Sequence, residues 1–151
     1  MTFSTQFSST VGALTLEGDD EVLTRLGFGA ASVPQGDAAA VASALIQLEQ
    51  YFAGERTEFD LDLALAGTEF ERRVWDEVRA IPYGQTASYA EIAARVGRPG
   101  ACRAVGRANA RNPVAVIVPC HRVVGSDGSL TGYAGGLEMK RALLELEGSA
   151  A

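Results

Sequence analysis

Apolar positions along the chain follow a period of two at first and a period of three to four later. Between residues 3 and 28, two β-rich runs, FSTQFSSTVGALTLEG and EVLTRLGFG, flank the turn signal Gly18-Asp19-Asp20. They predict two or three antiparallel strands. Residues 29–36 read as a loop. Asp37 can cap a helix over 38–52, where Val41, Leu45 and Leu48 form an apolar stripe and Gly54 follows the end. FDLDLAL (59–65) alternates and predicts a strand that pairs back onto the first ones.

Beyond Gly67 the pattern becomes helical. Thr68-Glu69-Phe70-Glu71 is a capping box opening a helix that carries Phe70, Val74 and Val78 and is stopped by Ile81-Pro82-Tyr83-Gly84. Ser88-Tyr89-Ala90-Glu91 is a second capping box, for a short helix through about Val96. The turn Gly97-Arg98-Pro99-Gly100 leads to a third helix, from about Gly100 to Asn109. Two short helices joined by such a turn fit a helix-turn-helix. On the third helix Ala101, Val105 and Ala108 share one side, while Arg103 and Arg107 share the other and Arg111 continues their line. Val114–Val118, bounded by Pro113 and Pro119, must be buried. A glycine-rich segment follows Cys120-His121-Arg122, and a last helix spans about Leu137 to Glu147. The fold class is therefore α/β in the α+β sense, with a strand-helix lobe over 1–66 and a mainly helical domain over 67–151.

At 151 residues, 47% hydrophobic and 21% charged, the chain has ordinary globular composition. A disordered chain, a collagen and a coiled coil are excluded. No run of about 18 apolar residues is present, so no membrane helix is expected. The N-terminus lacks a basic start and apolar block, which predicts a cytoplasmic protein. Cys102 and Cys120 make no disulfide framework, and with the single His121 they are poor zinc ligand material. No metal and no cofactor are expected.

Charge is uneven. Residues 1–65 carry ten acids against two bases, whereas six arginines and no acid lie between Arg95 and Arg122. That block reads either as a nucleic-acid footprint or as a solvated arginine face. Cys120, fixed by Pro119, is a candidate nucleophile with His121 as base. Adjacent residues on an extended strand point apart, so contact would need a turn or a bridging water. A carboxylate should orient the base, with Glu145 and Glu147 as candidates by type. The other reading is a structural cysteine beside a satisfied histidine.

Residues 112–124, NPVAVIVPCHRVV, with RAVG before them and TGYAGGL (131–137) after them, resemble the O6-alkylguanine-DNA alkyltransferases, also called methylated-DNA–protein-cysteine methyltransferases. The resemblance covers residues 48–148 firmly and the first 47 loosely. It implies an RNase H-like N-terminal lobe and a winged-helix-like helix-turn-helix. It also implies single-turnover transfer of an alkyl group from O6-alkylguanine, with O4-alkylthymine as a second substrate, onto Cys120. In that scheme His121 takes the thiol proton through a water, Glu147 holds His121, and Asn112 pins the turn carrying the cysteine. Tyr89 helps rotate the target nucleotide and Arg103 fills the gap it leaves, with Arg107 and Arg111 on DNA. Val123, Tyr133 and Ala134 line the guanine pocket. The implied partner is double-stranded DNA, entered by the minor groove, with single-stranded DNA a further substrate. The protein would be a monomer, and cooperative assembly on DNA is left open. Thr131 and Ala115 stand at pocket positions where other members differ, and Cys102 beside Arg103 is unexpected. A binder of alkylated bases, a cysteine hydrolase and a sequence-specific regulator are the competing readings. The first lacks the nucleophile, the second needs a distant histidine and an oxyanion hole, and the third needs a dimerisation element.

Overall fold

The computed structural model describes residues 1–148. The chain divides into two compact units, Met1–Leu65 and Ala66–Ala151.

In the first unit, β1 (Phe3–Ser9), β2 (Gly12–Gly18) and β3 (Leu23–Gly27) form an antiparallel meander in the order β1-β2-β3. β2 is central and buried from Leu14 to Gly18. Its polar positions are satisfied inside the unit. Glu17 accepts from the Ser32 amide at 3.1 Å and the Ser32 hydroxyl at 2.8 Å, with Arg25 at 3.6 Å. The register shifts between Glu17 and Gly18. A Cβ at Gly18 would stand 2.6 Å from the Val22 carbonyl oxygen, so glycine is required at this bulge.

Helix α1 (Ala39–Phe52) buries Val41, Ala44, Gln47, Leu48 and Tyr51. Leu45 is only half-buried. Asp37 is not its cap. Ala38 is the capping position, and the Ala39 amide is taken by Asp20 Oδ1 at 2.9 Å, from the turn between β2 and β3. A tertiary contact replaces the local one. The expected strand over 59–65 is a single parallel bridge between Leu23 and Leu63. Gln47 removes Asp60 from any ladder, donating to its carbonyl at 2.9 Å and accepting from its amide at 2.8 Å.

The second unit opens with α2 (Glu69–Arg79). Its Thr68–Glu71 capping box is complete, and Val74, Trp75 and Val78 face inward. β4 (Ala87–Ser88) leads into α3 (Tyr89–Arg95), where Ser88 Oγ accepts from the Glu91 amide at 3.0 Å. The expected return bond from Glu91 is replaced by a 3.8 Å ion pair with Arg95. Gly97 and Gly100 take φ of +79° and +100° in the turn, so α4 (Cys102–Ala110) starts two residues after Gly100. Trp75 Nε1 donates to the Ala108 carbonyl at 2.8 Å and ties α4 to α2. A 3₁₀ turn at Cys120–Arg122, β5 (Val123–Val124) and α5 (Leu137–Leu146) complete the unit. β4 and β5 pair in parallel, Ala87 with Val123 and Ser88 with Val124. No helix among the described residues is long and apolar enough to cross a membrane.

Candidate active site

Cys120 sits on a loop that folds back on itself. Val114 to Val118 is wholly buried, but as tight turns rather than an extended run. The Ile117 amide donates to the Ala115 carbonyl at 2.8 Å and Val118 to Val114 at 3.0 Å. Val116 lies at φ +71°, a γ-turn that a β-branched residue adopts only under strain of roughly 1–3 kcal/mol. Asn112 holds the loop closed: its Nδ2 donates to the Val118 carbonyl at 2.7 Å and its Oδ1 accepts from the Val114 amide at 3.0 Å. Asn109, on the inner face of α4, donates to the Cys120 carbonyl at 3.2 Å. The cysteine's backbone is therefore bonded directly to α4.

The Cys-His pair lies in the 3₁₀ turn, but His121 Nδ1 is buried with no protein partner, so the turn alone does not bring thiol and ring into hydrogen bond. His121 is fully buried, and its Nε2 lies 2.8 Å from Glu147 Oε2 at the C-cap of α5. Glu145 is exposed, which decides between the two candidate carboxylates. Arg122 grips the same carboxylate, Nε to Oε1 at 2.8 Å and Nη2 to Oε2 at 2.9 Å, and its Nη1 donates to the Ile81 carbonyl at 2.7 Å. Lys140 is completely buried, donating to the carbonyls of Val123 at 2.7 Å and Thr131 at 3.0 Å.

Burial raises the Cys120 thiol pKa, against lowering by hydrogen bonds from Asn112 and Tyr133 and by the Lys140 charge. Burial lowers the His121 pKa below its ordinary 6.5, against the pull of Glu147. At neutral pH both rest uncharged. Burial also pulls Lys140 down to about 8 and pushes Tyr133 well above 10.0.

A cavity of about 680 Å³ opens between α3, α4 and the glycine-rich segment, its walls including Tyr89, Cys102, Arg103, Thr131, Tyr133 and Ala134. Thr131 Oγ1 donates to Tyr89 Oη across it at 2.8 Å. Tyr133 belongs to this wall and lies near enough to Cys120 for the two to perturb each other's ionisation. Val123 is not in the wall; it is fully buried, with its carbonyl taken by Lys140. Ala115 is likewise buried in the loop behind. Cys102 is half-buried against the cavity rather than packed in the core. Arg103 and Arg107 are exposed on α4, and Arg111 is exposed but lies 3.5 Å from Glu71. Ala108 points into the core, whereas Ala104 and Gly106 are half-buried and Ala110 is exposed on α4. Among the described residues no group of three His, Cys, Asp or Glu side chains could hold a metal ion.

Three members of the site escaped the sequence reading. Lys140 stands in register with Leu143 and Leu144 on the buried stripe of α5, and a lysine on such a stripe is the legible sign. Asn109 likewise follows the inner face of Val105 and Ala108. Arg122 stands in both the PCHRV signature and the basic block, and neither gives it a role of its own.

The 6-O-methylguanine DNA methyltransferase ribonuclease-like domain matches residues 3–65, and the DNA-binding domain of the same methyltransferases matches residues 69–149. The chain belongs to this family. A methylated-DNA–protein-cysteine methyltransferase of Mycobacterium tuberculosis H37Rv is 54% identical over 149 residues, covering 95% of this chain and 90% of its own. One from Methanosarcina acetivorans is 50% identical over 150 residues, covering 95% and 96%. The crystal structure of the M. tuberculosis protein in complex with DNA superimposes with a TM-score of 0.90 at 53% identity, over 96% of this chain and 92% of that one.

Proposed function

We propose that this chain repairs alkylated DNA by direct reversal, moving the alkyl group of O6-alkylguanine onto Cys120 in a single turnover. The observation that carries this reading is a buried His121–Glu147 contact of 2.8 Å on the same turn as Cys120, with Tyr133 of the cavity wall close enough to the thiol to perturb its ionisation. The relatives' names and the DNA-bound M. tuberculosis structure support the same chemistry.

His121 takes the thiol proton through a water. Sulfur then forms its bond to the alkyl carbon as the carbon–O6 bond breaks, and that electron pair passes into the purine. The purine takes up the proton, leaving guanine and an S-alkylcysteine. A thioether offers no leaving group, so the protein is consumed. Asn112 holds the cysteine loop. Tyr89 and Arg103, both in the cavity wall, turn the nucleotide out and fill its place. Tyr133 and Ala134 receive the base, with Val123 behind them. Arg107 and Arg111 meet phosphates. The partner is duplex DNA approached through the minor groove, where Ala104 and Gly106 add little bulk. Single strands are a further substrate, O4-alkylthymine a second lesion, and the working form a cytoplasmic monomer.

The test is a duplex carrying O6-[³H-methyl]guanine. One equivalent of label should move to the wild-type protein, at residue 120 by mass spectrometry, and none to Cys120→Ser. Tight binding with no transfer would replace this reading with that of a lesion binder.

A further inference from the structure

Arg122 forms the last residue of the cysteine's own turn and is almost wholly buried. It is held from three directions: the Glu147 carboxylate on Nε and Nη2, the Ile81 carbonyl on Nη1, and the Tyr83 ring 5.8 Å from Cζ. A guanidinium anchored this way cannot swing aside, and the carboxylate it grips is fixed in plane and direction. That direction brings Oε2 within 2.8 Å of His121 Nε2.

The proton inventory follows from chemistry. A guanidinium never gives up its proton, and a carboxylate facing it on both oxygens acts as acceptor. The donor in the 2.8 Å contact is then His121 Nε2–H. In a neutral imidazole the lone pair is left on Nδ1, an atom that is buried and has no protein partner.

We propose that Arg122 is a positioning residue for the transfer: by holding Glu147 on both oxygens it puts the imidazole proton of His121 on Nε2 and makes Nδ1 the base. This rests on the reading of Cys120 as the alkyl acceptor. The charged and titratable groups around His121 are Arg122 on its own turn, Lys140 and Glu147 from α5, and Cys120 beside it. Tyr133 faces Cys120 and Glu147 from the glycine-rich segment. Two cations oppose an imidazolium and one anion favours it, so removing the Arg122 charge makes His121 easier to protonate and takes the base away at higher pH.

The chain has one histidine, so ¹⁵N NMR of its imidazole in the untagged protein needs no assignment. The wild type should show the Nε2–H tautomer at neutral pH. In Arg122→Gln the imidazole titration should move up by about one pH unit. The acid limb of single-turnover repair should move with it by the same unit, so that the slowing approaches about tenfold only at pH below both midpoints. Arg122→Lys, which keeps the charge, should bring the midpoint back toward wild type. An Nδ1–H tautomer in the wild type overturns the proposal, as does an Arg122→Gln protein that titrates and reacts with the wild-type midpoint. Wild-type protein that takes up no label would sink the alkyl-transfer reading and leave the tautomer result standing.

Discussion

His121 Nε2 and Glu147 Oε2 lie 2.8 Å apart although 26 residues separate them, and both side chains are shut off from solvent. The contact joins the cysteine's turn to the end of α5. Glu147→Gln should slow alkyl transfer by about 10²–10⁴-fold, the range of a lost general base. It also strands a buried guanidinium, so a urea titration should register a loss of about 3–5 kcal/mol. Transfer at the wild-type rate by Glu147→Gln would mean the imidazole needs no carboxylate.

Acid should act on stability through His121. Its folded pKa lies below 6.5 because burial disfavours the imidazolium. As pH falls below that value the unfolded chain takes up a proton that the folded chain refuses. The histidine's contribution is therefore full above the unfolded pKa and is lost as pH falls toward the folded one. The lowered carboxyls of Asp19, Glu71 and Asp127 start from 3.8 to 4.5 and act at lower pH. Urea midpoints should drop between about pH 6.5 and 5, and a flat response there would contradict a buried neutral imidazole.

Lys140→Met keeps an unbranched side chain in place but removes the donor to the carbonyls of Val123 and Thr131. Relief from burying an ammonium offsets part of that loss. The balance should be a destabilisation of about 2–4 kcal/mol, with slower transfer because the thiol loses a facing cation. A more stable variant would show that the two carbonyl bonds matter less than the buried charge.

Arg103 is exposed on α4 and lines the cavity together with Tyr89. If it fills the place of an extruded base, Arg103→Ala should slow repair of duplex DNA far more than reaction with free O6-benzylguanine. Equal slowing of both would move Arg103 from extrusion to pocket chemistry.

Two aspartates compete for the cap of α1. Asp20→Ala should cost about 1 kcal/mol, because its Oδ1 takes the Ala39 amide. Asp37→Ala should change thermal stability by less than about 0.5 kcal/mol. The reverse order would restore the local cap that the sequence suggests.

Much of the second unit was legible because its signals are local. The Thr68–Glu71 capping box, Ser88 at the head of α3 and the glycines of the 97–100 turn act within three or four residues, and each is used where it stands. The meander was legible for the same reason, since alternation and a turn determine adjacent pairing. Asp37 and the 59–65 strand misled because a side chain remote in sequence, Asp20 in one case and Gln47 in the other, offered the backbone a better partner. The PCHRV signature pointed to Cys120, His121 and, through resemblance, Glu147. Only the folded chain decided that Arg122 grips that carboxylate, that Lys140 enters the core with its charge, and that Val123 stands behind the cavity rather than in its wall. Which groups share a buried space depends on how α4, α5 and the cysteine loop pack, and low dielectric there makes every unpaired polar group expensive. Residue type states what chemistry a side chain can perform, whereas packing selects the partners that make it perform it.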